Sequence, residues 1–408
     1  MSVASHTSVF AALTAACDQL VLPGSDPELV AALLAWAVRP RRSLEAVRRV
    51  LAANPGPGTP AERLLAHVAP RIDADDAGHA RQLVADWVEQ RCRVSVVGDP
   101  SYPPRLASGW PDTDGPVLLA CAGTMPPDRP TVAMVGSRQA SSYGSGVAAW
   151  LARAAGEAGA HVVSGGAVGI DAAAHRAALS TEGGTSVVLG CGHAVTYPQA
   201  HARPGGLFPQ VLAAGGGLLS EQLPRVAPKA GIVRARNRIV AALADVVVVV
   251  EGGPRSGALL TATAASELSR PVLAVPGDIR VSGSAAPNRL LGEGAQACSS
   301  PADLLAALPA AALAAARLPA GAEPGGVEAA AGDAGGAAPV SSLPPPLYQA
   351  LAASWPRALP VDSVLERTGL GTGEVLSALT RAQVDGEVAE GPDGVVLRRP
   401  PVDVHHQP

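Results

Sequence analysis

Lysine is almost missing from this 408-residue chain: among its 31 basic residues, Lys229 is the only one. Ala230 follows it, so no GK[ST] step exists, and the Walker A loop of P-loop nucleotide hydrolases is excluded. A pyridoxal enzyme would have to form its Schiff base on that one residue, which lies in no SxxK motif. GxSxG, HExxH and CxxC are also absent, which removes the commonest signatures of serine hydrolases and zinc enzymes. The five cysteines (Cys17, Cys92, Cys121, Cys191 and Cys298) are odd in number and scattered, and read as small buried residues of a reducing compartment. The longest apolar run, residues 29–38, is too short for a bilayer, and no basic-plus-apolar leader opens the chain. These absences lead to the expectation of a cytoplasmic protein with no metal, no cofactor and no membrane partner.

Aromatic residues make up only 3% of the chain, so its 48% hydrophobic content is mainly Ala, Val and Leu, set among 45 glycines and 38 prolines. Acids are missing altogether between Glu221 and Asp245, where Arg225, Lys229, Arg234, Arg236 and Arg238 all fall. The net charge is −4, so this strip is a local cationic patch and not a bulk property. Beside glycine loops such a strip suits a polyanion, whose phosphates Lys and Arg neutralise with release of counterions. A solvated charged face is the blander reading of the same run.

Five phrases carry the organisation: VAMVGSRQASSYG from Val132, VVSGGAVGIDAAAH from Val162, RARNRIVAAL from Arg234, VVVVVEGGPRSGALLTA from Val246 and VLAVPGD from Val272. Valine-rich runs that break into glycine predict strands at 117–120, 132–135, 161–164, 186–189, 218–220, 245–251 and 272–275, with helices at 144–159, 171–180, 236–244 and 257–269. Alternating strands and helices make an α/β fold, an extended Rossmann-like, mostly parallel, doubly wound sheet. A ligand on such a sheet is expected beyond the carboxyl ends of the strands. Around it the sequence predicts a helical N-terminal domain over 1–95, of the SAM or helix-hairpin-helix kind. A Rossmann-like domain is expected over 96–308, followed by an Ala/Gly/Pro linker over 309–342. Residues 343–400 are expected to form a winged helix, whose third helix offers Glu374 and only one cation, Arg381, as poor equipment for DNA phosphates.

Gly136-Ser137-Arg138 joins a close-approaching backbone, a hydroxyl and a guanidinium directly after a strand, which is the equipment for gripping a phosphate. Gly165 opens the equivalent loop after the next strand. Arg236-Asn237-Arg238 is expected at a helix start, where the dipole adds positive potential. An ordinary turn and a solvated helix start are the alternatives at these elements. Asp171 reads as a helix cap, His175 as a structural residue able to bond it at i+4, and Glu251 or Glu221 as acids facing the crevice. No catalytic constellation emerges, and Gly190-Cys191-Gly192 reads as a tight turn.

At these residues the chain resembles the DNA-processing protein A family (DprA, also called Smf), bacterial proteins that receive incoming single-stranded DNA and load the RecA recombinase. The resemblance runs from Asp99-Pro-Ser-Tyr-Pro-Pro104 to Asn288-Arg-Leu-Leu291 and rests on the joint occurrence of VGSR, SGGAVGIDAAAH, ARNRIVAAL and RSGALLTA. It implies a homodimer that binds single-stranded DNA without catalysis, protecting it and loading RecA during DNA uptake, natural transformation and recombination. The implied nucleic-acid-binding residues are Gly136, Ser137, Arg138, Gly165, Lys229, Arg234, Arg236, Asn237 and Arg238. Val168 stands where the family has an arginine, and Val233-Arg234 where it has an aromatic-proline pair; the resemblance then implies one fewer cation and no stacking from that position, with Arg234 as compensating charge. Two other classes stay open: a Rossmann-like nucleotide phosphoribohydrolase, disfavoured by Thr261 at the expected acid, and an adaptor that does not bind DNA.

Overall fold

The computed structural model describes residues 3–38, 58–109, 115–195, 197–309, 343–354 and 359–371, with shorter pieces between 374 and 397. The chain divides into two compact units, Met1–Pro324 and Gly325–Pro408.

The first unit is built on a nine-stranded sheet, in the order β1-β2-β6-β5-β4-β3-β7-β8-β9. Its strands are β1 (Cys92–Val96), β2 (Leu118–Gly123), β3 (Thr131–Val135), β4 (His161–Ser164), β5 (Thr185–Val188), β6 (Gly217–Ser220), β7 (Val246–Val249), β8 (Val272–Ala274) and β9 (Gln296–Ala297). From β6 through to β9 every neighbouring pair is parallel, whereas β1–β2 and β2–β6 are antiparallel. The winding reverses at β3, which has β4 on one side and β7 on the other. At such a switch point the loops beyond the carboxyl ends of the strands part, which is where a ligand crevice is expected. The α/β, mostly parallel class is the one expected from the valine runs, and all seven expected strands are present.

Successive residues explain why these strands are apolar throughout. Val132 and Met134 of β3, with Val246 and Val248 of β7, pack under the helices Ser142–Glu157 and Ile170–Ala178. Ala133, Val135, Val247 and Val249 point the other way, into a layer with Ile239, Leu243 and Ala262. A strand buried on both faces has no polar side to show.

Asp26 caps Pro27–Ala37, and capping boxes at Thr59/Glu62 and Asp73/Asp76 start Pro60–Val68 and Ala74–Glu89. Each satisfies amides that a helix start leaves open. Their buried faces (Leu29, Leu33, Leu64 and Trp87) share one apolar cluster with Val94, Leu118 and Leu218 of the sheet. The helical part and the sheet are therefore continuous in packing. The second unit holds helices Pro345–Ala352 and Val361–Thr368 and a hairpin of β10 (Val388–Gly391) and β11 (Gly394–Leu397) around its own cluster. The linker expected over 309–342 lies outside the described residues, Pro309 excepted. So do parts of the third helix expected over 372–383, including Arg381.

Candidate functional site

The loop after β3 is packed so tightly that its first residue can carry no side chain. A Cβ on Gly136 would stand 2.6 Å from Ile170 Cγ1 and 2.8 Å from the Glu251 carbonyl oxygen. The Ser137 amide donates to that same carbonyl at 2.8 Å, and the Ser137 carbonyl accepts the Ile170 amide at 3.1 Å. Ser137 Oγ accepts the Gln139 amide at 3.1 Å, closing the turn. Arg138 leaves this fixed backbone exposed to solvent, donating a long hydrogen bond of 3.4 Å to the Tyr197 hydroxyl.

After β4, Gly165 is buried and Gly166 turns the chain with φ 65°. The space a Gly165 side chain would need is filled by the guanidinium of Arg236. Arg236 is only 6% exposed, and its Nε is buried with no hydrogen-bond partner among the described residues. Burial works against its charge, Asp171 supports it, and the neighbouring Arg138 opposes it. Asp171 is buried too, and burial pushes its carboxyl above the ordinary range while Arg236 pulls it back. The crevice thus has two guanidiniums at the mouths of two glycine loops and one buried carboxylate behind them.

Arg236 joins two short helices, Ala230–Ala235 and Asn237–Leu243, and its amide donates to the Ile232 carbonyl at 3.0 Å. Sequence reasoning expected a helix start with free amides at Arg236; a helical turn beginning at Ala230 uses that amide instead, and Lys229 precedes the turn. Lys229 and Arg234 are exposed. The other two cations of the strip have acidic partners. Arg225 donates to Asp86 from Nε at 2.6 Å and from Nη2 at 2.7 Å, and Arg238 grips Glu221 at 2.8 and 2.7 Å. Asp245, the acid that closes the strip, accepts from Arg105 and from the Thr131 amide at the opposite end of β3. Asn237 donates from Nδ2 to the Gly257 carbonyl at 3.1 Å.

The candidate acids are all engaged. Glu251 is buried and accepts the Ser141 amide at 2.9 Å together with the Ser141 hydroxyl, at the start of Ser142–Glu157. Asp171 accepts the Ala167 amide at 3.2 Å and does not reach His175. His175 instead faces Thr185 at 2.6 Å; the Thr185 hydroxyl donates to the Val162 carbonyl at 2.7 Å, so His175 Nδ1 must carry the proton. Burial lowers the pKa of His175 to about 3 and that of His161 to about 4. Both stay neutral, as structural residues do. Gly190 and Gly192 give the turn expected there, pressed against Val233 and against the Leu223 and Pro224 carbonyls. All five cysteines are buried and free, and burial raises Cys191, the one nearest Arg236, to about 11.

Sequence reasoning missed the burial of Arg236, the Asp86 partner of Arg225, and Tyr197. The first two are tertiary events between residues far apart in the chain. Tyr197 lies in an irregular segment where no periodicity speaks.

Comparison with known proteins places the fold. The family model for DNA recombination-mediator protein A matches residues 93–309, which spans β2 to β9 and every element of the crevice. The Smf protein of Escherichia coli (strain K12) is 35% identical over 324 residues, covering 77% of this chain and 80% of that one. A DprA-type chain of Mycobacterium tuberculosis (strain ATCC 25618 / H37Rv) is 46% identical over 173 residues; this match spans 42% of the present chain and less than half, 43%, of the relative. Among solved structures, the X-ray structure of DNA processing protein A from Streptococcus pneumoniae is similar with a TM-score of 0.51 and 30% identity, covering 75% of this chain and 98% of that one. With the family model over half of its length and a relative aligned over most of it, the chain belongs to the DNA-processing protein A (DprA/Smf) family of DNA recombination mediators.

Proposed function

We propose that this chain binds single-stranded DNA in the crevice at the carboxyl ends of β3 and β4, holding backbone phosphate through Arg138 and Arg236. The observation that carries the reading is the buried Arg236 guanidinium, whose Nε has no hydrogen-bond partner among the described residues, beside an exposed second guanidinium. One buried carboxylate, Asp171, serves two adjacent guanidiniums, and a phosphate would supply the further negative charge that the pair favours. Gly136, Ser137 and Gly165 allow close approach, and Lys229 and Arg234 add exposed charge along the path. Asn237 and Arg238, also expected at the site, are engaged by Gly257 and Glu221, and this reading gives them no phosphate contact.

The choice of single-stranded DNA rests on family membership, as does the finer reading. In that reading a cytoplasmic homodimer protects incoming strands during DNA uptake and hands them to a RecA-type recombinase. The reading includes no catalysed reaction: Asp171, Glu251 and Glu221 are each bound to a neighbour, and Thr261, where a phosphoribohydrolase would need its acid, is buried in the helix Ala258–Glu267. Steady nucleotide turnover by the purified chain, abolished by Glu251→Gln, would overturn that part.

The test is binding of a labelled oligonucleotide, single-stranded and duplex, across a salt series. A linear fall of log affinity with log salt is expected, by roughly 0.7 per phosphate contact for a single strand. Equal or tighter binding of duplex, or no salt dependence, contradicts the proposal.

A further inference from the structure

We propose that Tyr197 is a nucleobase-stacking platform at the mouth of the crevice, an inference that rests on the phosphate reading above. Aromatic residues are few here, 4 Tyr, 2 Phe and 5 Trp in the whole chain; among the described ones Trp87, Tyr102 and Phe208 are buried, while Tyr143 and Trp150 are exposed on the helix Ser142–Glu157 and Tyr143 bonds the Pro276 carbonyl. Tyr197 is 38% exposed, and its hydroxyl lies 3.4 Å from Arg138 Nη1. It therefore stands beside the guanidinium assigned to phosphate. A base one sugar away from that phosphate falls naturally over the ring.

The ring is mounted on a braced segment. Pro198 follows it, and the short helix Gln199–Ala202 follows in turn, with its buried His201. His201 Nδ1 donates to the carbonyl of Gly166, in the second glycine loop, at 2.9 Å, and its ring meets Phe208 edge-on at 5.6 Å and 80°. On the other side, Cys191 Sγ donates to the Val195 carbonyl at 3.2 Å. Through His201 the segment that follows Tyr197 is tied to the glycine loop against which the Arg236 guanidinium packs. Stacking on an aromatic face is tolerant of base identity, as a handler of arbitrary single strands requires. At the position before Arg236 where the family resemblance leads one to expect an aromatic, this chain has Val233, whose side chain packs on Gly190. Tyr197 restores an aromatic face to the crevice from a different element.

The experiment compares the full-length chain with Tyr197→Ala, Tyr197→Phe and Arg138→Ala, titrated with an oligothymidylate and with an abasic oligonucleotide of equal length in a salt series. Tyr197→Ala should bind the oligothymidylate roughly five- to a hundred-fold more weakly with an unchanged salt slope. Tyr197→Phe should stay near wild type, and the preference for bases over the abasic strand should vanish in Tyr197→Ala only. If Arg138→Ala weakens binding and flattens the slope while Tyr197→Ala matches wild type, stacking is refuted and the phosphate site stands. If Tyr197→Phe fails as badly as Tyr197→Ala, the hydroxyl positions Arg138 and stacking is again refuted. If wild type binds no single strand at all, the phosphate reading falls and takes this proposal with it.

Discussion

Two pairs of arginines look alike in the sequence and differ in the structure. Arg225 and Arg238 each hold a carboxylate with two hydrogen bonds, to Asp86 and Glu221 respectively. Arg138 and Arg236 act on each other at the glycine loops, and Asp171 is the carboxylate that supports Arg236. Both pairs belong to the same family-like phrases or their flanks, and all four count equally toward formal charge. What separates them is whether folding brings an acid to them. A cationic strip read from sequence counts charges, while a binding site needs charges that remain uncompensated, and only tertiary structure decides that.

The largest effect expected from this contrast comes with acid. Arg236 must carry its charge in the buried layer behind the crevice, whereas His161 and His175 below it must not. Their folded pKa values, about 4 and about 3, lie below the ordinary 6.5, so the unfolded chain takes up protons first. Their contribution is therefore intact above pH 6.5 and is lost as pH falls toward about 4, on the order of 3 kcal/mol for His161 alone. Asp171, raised by burial, works in the opposite sense, because the native state binds that proton before the unfolded one does. Asp86 is held low chiefly by its bonds from Arg225, so that clasp loosens only below its ordinary 3.8. Urea denaturation at pH 7.5, 5.5 and 4.5 should show a steady loss; stability unchanged from pH 7.5 to 4.5 would remove the histidines from the account.

Arg236→Ala should come next, weakening single-strand binding on the order of a hundred-fold, as loss of a charge-assisted contact worth about 2–3 kcal/mol. A thermal melt of the same variant separates this from unfolding. Wild-type affinity in a folded variant would mean that Arg236 serves the fold alone.

Arg238→Ala should behave in the reverse way. It strips a largely buried partner from Glu221 and should reduce stability by about 1–2 kcal/mol while leaving DNA affinity within a few-fold. A large loss of affinity without loss of stability would show that the Glu221 bond opens when DNA arrives.

How much of this could be read beforehand follows from the kind of interaction involved. The strands β3, β4, β7 and β8 were legible because burial on both faces leaves unbroken apolar runs. Gly136 and Gly165 were legible because a loop pressed against a neighbour tolerates no side chain. The two-residue β9 was not, being too short for any periodicity, and neither was β1, which begins where a long helix ends. The antiparallel edge of β1, β2 and β6 depends on pairings between residues distant in sequence, as do Asp86 with Arg225 and Gly165 with Arg236. Such contacts leave no spacing signal.

The smallest effect should come from removing the second unit. Truncation after Leu308 keeps every strand of the sheet and every residue of the crevice, so single-strand affinity should stay within a few-fold, a difference of roughly 1 kcal/mol or less. Near-complete loss of binding on truncation, with binding retained by the isolated 343–399 segment, would move the DNA site out of the sheet.

The site is made by the arginines that no carboxylate clasps with two hydrogen bonds, Arg138 and Arg236, and not by the cationic strip as a whole. The most direct test of this is the salt dependence of oligothymidylate binding for Arg138→Ala beside Arg238→Ala, at matched stability. The slope should flatten by roughly 0.7 for Arg138→Ala, with about ten-fold weaker binding, and stay at the wild-type value for Arg238→Ala. Equal flattening in both variants, or a wild-type slope in Arg138→Ala, would contradict it.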